Sequence, residues 1–320
     1  MNMQVETARR ERLKVHMLLA GVTNSGKTVS ALLIAKGIIA EMYPDLQESA
    51  QWGLIGVIDT EHRRASLNAQ KQVGETKIGE FHVVNMDAPY TVERYEGAFG
   101  LLARTGCQVI IVDSITHNWE GLGGILHKVD QSGGQFSAWG KVKPDLKRFQ
   151  DLLVSSQMHV ISTVRVKQDY VVVANEKGKM APVKVGLKNI TKDDLDYEYA
   201  IAFRLEADHI AYPVKDNSDI FTEPTHLTEE HGKKLYKWAE QGVDVAEEQR
   251  KQREEEEAMR QQFLAEIIEH MPNATVSQYV ADMAFQMRVP LENFNVETMY
   301  HLNQKVKEII NNANIHNRPQ

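Results

Sequence analysis

Short apolar runs alternate along this chain with longer stretches of helical spacing. Lys14 to Ala20 reads as a strand. Lys27 to Met42 reads as a helix, with apolar positions at Val29, Leu32, Leu33, Ile38, Ile39 and Met42. Gly53 to Asp59 and His82 to Met86 read as the next strands. Pro89 to Arg104 reads as a helix whose proline suits a first turn. Val109 to Asp113 is a continuous apolar run, the pattern of a strand buried on both faces. Trp139 to Val154 has helical spacing again, and Met158 to Val164 is the following strand. Strands alternating with helices of this length predict parallel β-α units, and so an α/β core with a mostly parallel central sheet. After Arg165 the pattern changes. Tyr170 to Val173, Ala200 to Leu205 and His209 to Val214 are short β-like pieces, which predicts hairpins extending the sheet.

A boundary falls near Gly242. Asp244 to Arg260 is almost wholly polar and charged, including Glu254 to Glu257. Three stretches of helical period follow. Phe263, Leu264, Ile267, Ile268 and Met271 form one apolar face. Val276, Tyr279, Val280, Met283 and Met287 form a second, and Met299, Leu302, Val306, Ile309 and Ile310 a third. The expected organisation is an N-terminal arm over 1–13, the core over 14–243, a charged helical linker over 244–262 and a small C-terminal helical module over 263–320.

Composition narrows the class. The 320 residues are 42% hydrophobic and 25% charged, as in an ordinary globular protein with material for a full core. No apolar run approaches the roughly 20 residues of a membrane span, so no membrane partner is expected. Arg9 to Arg12 precede no cleavable apolar segment. The single Cys107 excludes an internal disulfide framework and fits a reducing cytoplasm. The net charge of -7 argues against a broadly basic surface, so any nucleic-acid contact must come from local patches.

The candidate chemistry begins at Gly21-Val22-Thr23-Asn24-Ser25-Gly26-Lys27-Thr28, with Val29 following, which fits the pattern G-x-x-x-x-G-K-[ST]. The glycines let successive backbone N–H groups turn toward phosphate oxygens, and the helix starting near Lys27 adds its positive end. Lys27 supplies a point charge for the β and γ phosphates of ATP, and Thr28 a hydroxyl for Mg²⁺. Val109 to Asp113 carries an acid at the carboxyl end of a buried strand, where ligands bind in such sheets. Asp113 is therefore the second candidate for holding the metal. Val57-Ile58-Asp59-Thr60-Glu61-His62 ends the earlier strand in the same way. Glu61 is the candidate for polarising the attacking water, and Asp59 a candidate for a structural role.

A phosphate loop, then Asp59-Thr60-Glu61-His62, then Ile111-Val112-Asp113-Ser114 resembles the RecA family of strand-exchange ATPases. Asp113 is followed by Ser114, and the catalytic acid candidate stands on an earlier strand, which is the RecA-class order. Thr163-Val164-Arg165-Val166-Lys167, with Asp113 to Trp119 and the Trp139 helix, is also similar to phage-borne, RecA-like core ATPases associated with single-strand annealing. The resemblance implies a RecA-like P-loop NTPase core, Mg²⁺-dependent and DNA-stimulated ATP hydrolysis, and a ring or filament with ATP between subunits. It implies the host bacterial cytoplasm as the location for a phage-encoded chain. Thr163 stands where RecA has a γ-phosphate-sensing glutamine. Lys215, in Tyr212-Pro213-Val214-Lys215, stands near a lysine that reaches the neighbour's γ-phosphate; a surface lysine is the plain alternative.

The resemblance also places DNA loops. Arg165 to Lys192 holds seven cations (Arg165, Lys167, Lys177, Lys179, Lys184, Lys188, Lys192) against Asp169 and Glu176. Such a segment suits a single-stranded DNA backbone, or forms a solvated hairpin. Gly121 to Gly140, with Lys128, Lys141, Lys143, Lys147 and Arg148 nearby, is the counterpart of the first DNA loop or a flexible surface loop. Trp119 and Trp139 either stack on bases or pack inside. Three readings follow: a single-stranded-DNA-binding recombinase, a nucleotide-gated module for a protein partner, and a helicase or loader. A single-strand-binding protein is a candidate partner for the C-terminal helices.

Overall fold

The computed structural model describes the backbone of residues 7–174 and 180–316. Lys177 and Lys179 lie outside the described residues, as does the side chain of Lys184. The chain divides into two compact units, Arg12–Gln241 and the remaining described residues, 7–11 with 242–316.

The larger unit runs β1 (His16–Gly21), α1 (Lys27–Met42), β2 (Ile55–Asp59), β3 (His82–Asn85), α2 (Val92–Thr105), β4 (Val109–Asp113), α3 (Ala138–Val154), β5 (His159–Ala174), β6 (Met180–Asn189), β7 (Ile201–Leu205), β8 (Ala211–Asp216) and α4 (Glu229–Ala239). The sheet order is β8-β7-β1-β5-β4-β2-β3, with β6 paired to β5 alone. β1, β2, β3, β4, β5 and β7 are parallel neighbours; β8 on β7 and β6 on β5 are antiparallel. This is a mixed α/β fold with a mostly parallel central sheet. Among the described residues no helix is long and apolar enough to cross a membrane.

Strand alternation explains the layering. Met17 and Leu19 of β1, Ile55 and Val57 of β2, Val109 and Ile111 of β4 and Ile161 of β5 enter one core with α1 and α4. Leu18 and Ala20, Ile58, Ile110 and Val112, Val160 and Val164 enter the other, with α2 and α3. Strands apolar on both faces thus serve two helical layers at once, as the apolar run at 109–112 required.

Two expectations need correction. The helix placed from Pro89 starts at Val92: Tyr90 N donates to Leu122 O, and Thr91 is extended, so the chain is still turning there. The strand placed over 158–164 and the separate piece at 170–173 are one strand, because beyond Arg165 the chain parts from β1 and pairs with β6 instead. Cross-strand pairing, not local pattern, sets that length.

The smaller unit holds α5 (Val245–His270), α6 (Ala274–Met287) and α7 (Val296–His316). The charged stretch and the apolar one after it form the single helix α5, capped by Asp244, whose carboxylate accepts from Glu247 N at 2.9 Å. Ile267, Val276, Val280, Phe294, Met299, Leu302 and Val306 make its core. Ile268 and Met287, expected on apolar faces, are exposed.

Candidate active site

β1 ends at Gly21, and the chain turns through Val22–Ser25 with Ser25 N donating to Val22 O at 3.3 Å. Asn24 and Gly26 have φ of 64° and 86°, and Gly26 leads directly into α1. The left-handed conformation at Gly26 favours glycine. The space does too, since a Cβ there would sit 3.0 Å from His209 Nδ1. At Gly21 a Cβ would meet Ser25 Oγ at 2.4 Å and the Leu205 carbonyl at 2.7 Å. The loop is therefore packed from behind by the β7–β8 turn. Lys27 Nζ lies across it, donating to the Gly21 and Val22 carbonyls at 3.0 and 2.8 Å. Burial lowers the Lys27 pKa, Asp113 and Glu61 oppose the shift, and Arg165 adds to it.

The acids arrive from the neighbouring strands. Asp113 is buried, and each of its oxygens accepts one hydroxyl: Thr28 Oγ1 to Oδ2 and Thr163 Oγ1 to Oδ1, both at 2.5 Å. β5 lies between β1 and β4, which is how Thr163 comes to face Asp113. Burial raises the Asp113 carboxyl above its ordinary pKa, and the two hydroxyls and Lys27 work against that.

Glu61 stands beyond the end of β2. Asp59 accepts from Glu61 N at 2.7 Å and Ala65 N at 2.8 Å, which folds the loop after β2 and sets Glu61 in place. Glu61 Oε1 accepts from Ser114 Oγ at 2.9 Å, and Oε2 pairs with the Arg165 guanidinium. Burial pushes the Glu61 pKa up, but Arg165 and Ser114 together bring it below the ordinary carboxylate value. Thr60 Oγ1 meets His117 Nδ1 at 2.8 Å, and His117 stacks on Tyr90 at 4.8 Å.

These groups line one cleft of about 1630 Å³, with Thr23, Asn24, Gly26, Lys27, Thr28 and Val29 at one part and Glu61, Asp113 and Arg165 at another. That exceeds the few hundred to 1,000 Å³ of common small-molecule sites, so a nucleoside triphosphate fits. Among the described residues no group of three or more His, Cys, Asp or Glu is arranged to hold a metal ion. A hydroxyl beside one carboxylate is the hard-oxygen set that Mg²⁺ takes together with phosphate oxygens, so Thr28 and Asp113 fit that ion.

The remaining candidates lie elsewhere. Lys215 is not among the residues lining the cleft; its Nζ donates to Tyr197 O at 2.6 Å. Lys167 is exposed on the β5–β6 hairpin opposite Lys188, which pairs with Asp193 at 2.8 Å. Near the first loop, Lys128 pairs with Asp145, Lys147 with Asp151 and Arg148 with Glu93 and Glu96. Trp119 and Trp139 are partly buried, 6.1 Å apart. Cys107 is buried, which pushes its thiol up to about 11. Sequence reasoning gave no role to Ser114, Thr116 or His117. A run of hydroxyl and imidazole groups just after Asp113 was the available signal.

A phosphate loop between a buried strand and a helix, with an acid from a second parallel strand facing it, defines a P-loop NTPase site. A family model described as an AAA domain matches residues 13–233, and the chain belongs to that family of P-loop ATPases, which implies nucleotide-dependent activity. No curated protein matches the chain at a significant level.

Proposed function

We propose that this chain is a RecA-like recombinase that hydrolyses ATP with Mg²⁺, binds single-stranded DNA and promotes strand annealing or exchange in a phage-type system. One observation carries the reading: the strand that brings Thr163 against Asp113 continues out of the nucleotide cleft as a hairpin bearing Arg165 and Lys167. Nucleotide chemistry and a cationic surface thus share one element. The position of Glu61 just beyond β2, the neighbour of the Asp113 strand and not that strand itself, supports the RecA-class assignment.

In this reading Lys27 and the loop amides hold the β and γ phosphates. Thr28 and Asp113 would hold Mg²⁺, which would supply positive charge against the phosphate oxygens. Glu61 orients or deprotonates the attacking water, with Ser114 fixing its direction. Thr163, hydrogen-bonded to Asp113, reports on the γ-phosphate. The chain assembles as a ring or filament with ATP at the interfaces, where Lys215 serves the neighbouring site, and the C-terminal helices recruit a single-strand-binding protein.

A second reading, a nucleotide-gated module for a protein partner, draws on the ion pairs of Lys128, Lys147 and Arg148, which neutralise three of the five first-loop cations within the chain. Steady-state ATP hydrolysis with and without single-stranded DNA, on wild type and Glu61→Gln, separates the two. DNA-stimulated turnover that drops about 100-fold in the variant, with nucleotide affinity kept, is expected of the recombinase. Slow hydrolysis indifferent to DNA favours the module.

A further inference from the structure

Arg165 stands where the nucleotide cleft meets the β5–β6 hairpin. Its amide donates to Thr116 Oγ1 at 2.9 Å, and its carbonyl accepts from Ile190 N at 2.8 Å, where the hairpin closes. Its guanidinium turns back to Glu61 Oε2. Ser114 already holds the other oxygen of Glu61, so Arg165 is not needed to orient the carboxylate. What the guanidinium adds is charge. It stabilises the ionised carboxylate and takes lone pairs that a water's proton would need. The pair is unevenly buried: the Glu61 side chain is 11% exposed and that of Arg165 34%. An anion from outside can therefore reach the guanidinium while the carboxylate stays shielded.

We propose that Arg165 is a latch on Glu61, closed by their ion pair and opened when the backbone phosphates of a nucleic acid lying on the hairpin draw the guanidinium away. This rests on the ATP-hydrolysing, DNA-binding reading and states how its two halves are coupled. Lys167 lies two residues further along the strand, on the same face as Arg165. It registers with Lys188 across the hairpin. Asp193 already pairs with Lys188 at 2.8 Å, so the exposed Lys167 is the cation of the two that a polyanion meets. A phosphodiester chain in that position runs beside Arg165. Parting a half-buried ion pair is costly unless each charge finds a new partner. A backbone phosphate serves the guanidinium, and Ser114 with the attacking water serves Glu61.

The test is ATP hydrolysis by wild type, Arg165→Gln and Arg165→Lys, each with and without a dT oligonucleotide, together with binding of a fluorescent ATP analogue. Arg165→Gln should raise kcat without oligonucleotide by about ten-fold, within the range of general-base effects. KM for ATP should not change, and stimulation by the oligonucleotide should nearly vanish. Arg165→Lys, which can still pair with Glu61, should keep most of the wild-type ratio and carries the test where the glutamine variant misfolds. A fall in unstimulated kcat, or stimulation that survives in Arg165→Gln, overturns the latch. A raised KM with lost analogue affinity places Arg165 on the nucleotide instead, and also overturns it. Wild type that turns over ATP but ignores the oligonucleotide, with Arg165→Gln unchanged, removes the latch and leaves the ATPase standing. Wild type that binds the analogue without turnover removes both.

Discussion

At the carboxyl ends of β1, β2 and β4, beside the middle of β5, the buried polar groups face one another. At the amino ends of β1 and β5 they stand apart. Around the phosphate loop, Asp113 takes two hydroxyls and Glu61 takes Ser114 and Arg165. At the opposite end His159 accepts one hydrogen bond, from Val15 N at 3.0 Å, and its Nε2 has no partner among the described residues. Burial lowers the His159 pKa to about 3, with Lys14 and His16 adding to the shift. The difference shows two ways to bury polarity in one sheet. A ring of mutually compensating partners keeps Glu61 below its ordinary pKa despite burial. A lone group is neutralised. The first arrangement keeps charge in the cleft, and the second buries a neutral ring at the start of a strand.

The sharpest break of this comparison is at the carboxyl end. Lys27→Ala removes the cation proposed to hold the phosphates, and turnover should fall by on the order of a hundred- to a thousand-fold. The fold should persist, because Lys27 bonds only to loop carbonyls. ATPase rates alongside a thermal melt check both statements, and undiminished turnover would contradict the site.

The next effect belongs to the amino end. The folded chain keeps His159 neutral down to about pH 3, whereas the unfolded chain protonates it near 6.5. Between those values the unfolded state binds the extra proton. His159 therefore adds no penalty above about pH 6.5, and stability drains away as pH falls toward 3, by up to roughly 1.4 kcal/mol per unit. Urea unfolding at a series of pH values should show a shallower acid-side loss in His159→Gln than in wild type. Equal slopes would mean that other groups govern it.

The smallest effect tests the packing behind the loop. Gly26→Ala forces a side chain into a left-handed residue against His209, at a cost of roughly 1–2 kcal/mol. Urea unfolding reads it directly. A stability matching wild type would mean that the loop relaxes freely.

Much of the nucleotide site was legible in the residues. The spacing from Gly21 to Thr28 needs only backbone that can turn and a helix to follow, so local sequence specifies it. Asp113 was legible because a four-residue apolar run followed by an acid has few other meanings inside a parallel sheet. The boundaries of β5 and α2 were not, since each depends on a partner distant in sequence: β6 for the strand, and Leu122 for the turn at Tyr90.

The amino-acid sequence by itself determined most of the elements, the two-faced strands, the phosphate loop and the acids at the strand ends. These follow from periodicity and local backbone chemistry. Tertiary structure alone decided which side chains meet. It placed β5 between β1 and β4, so Thr163 reached Asp113 and Arg165 reached Glu61 across 104 residues of chain. It also paired Lys128, Lys147 and Arg148 with acids of the same chain. The physical reason is that charge and hydrogen bonding act over a few ångströms of space, and only strand order sets which residues come that close.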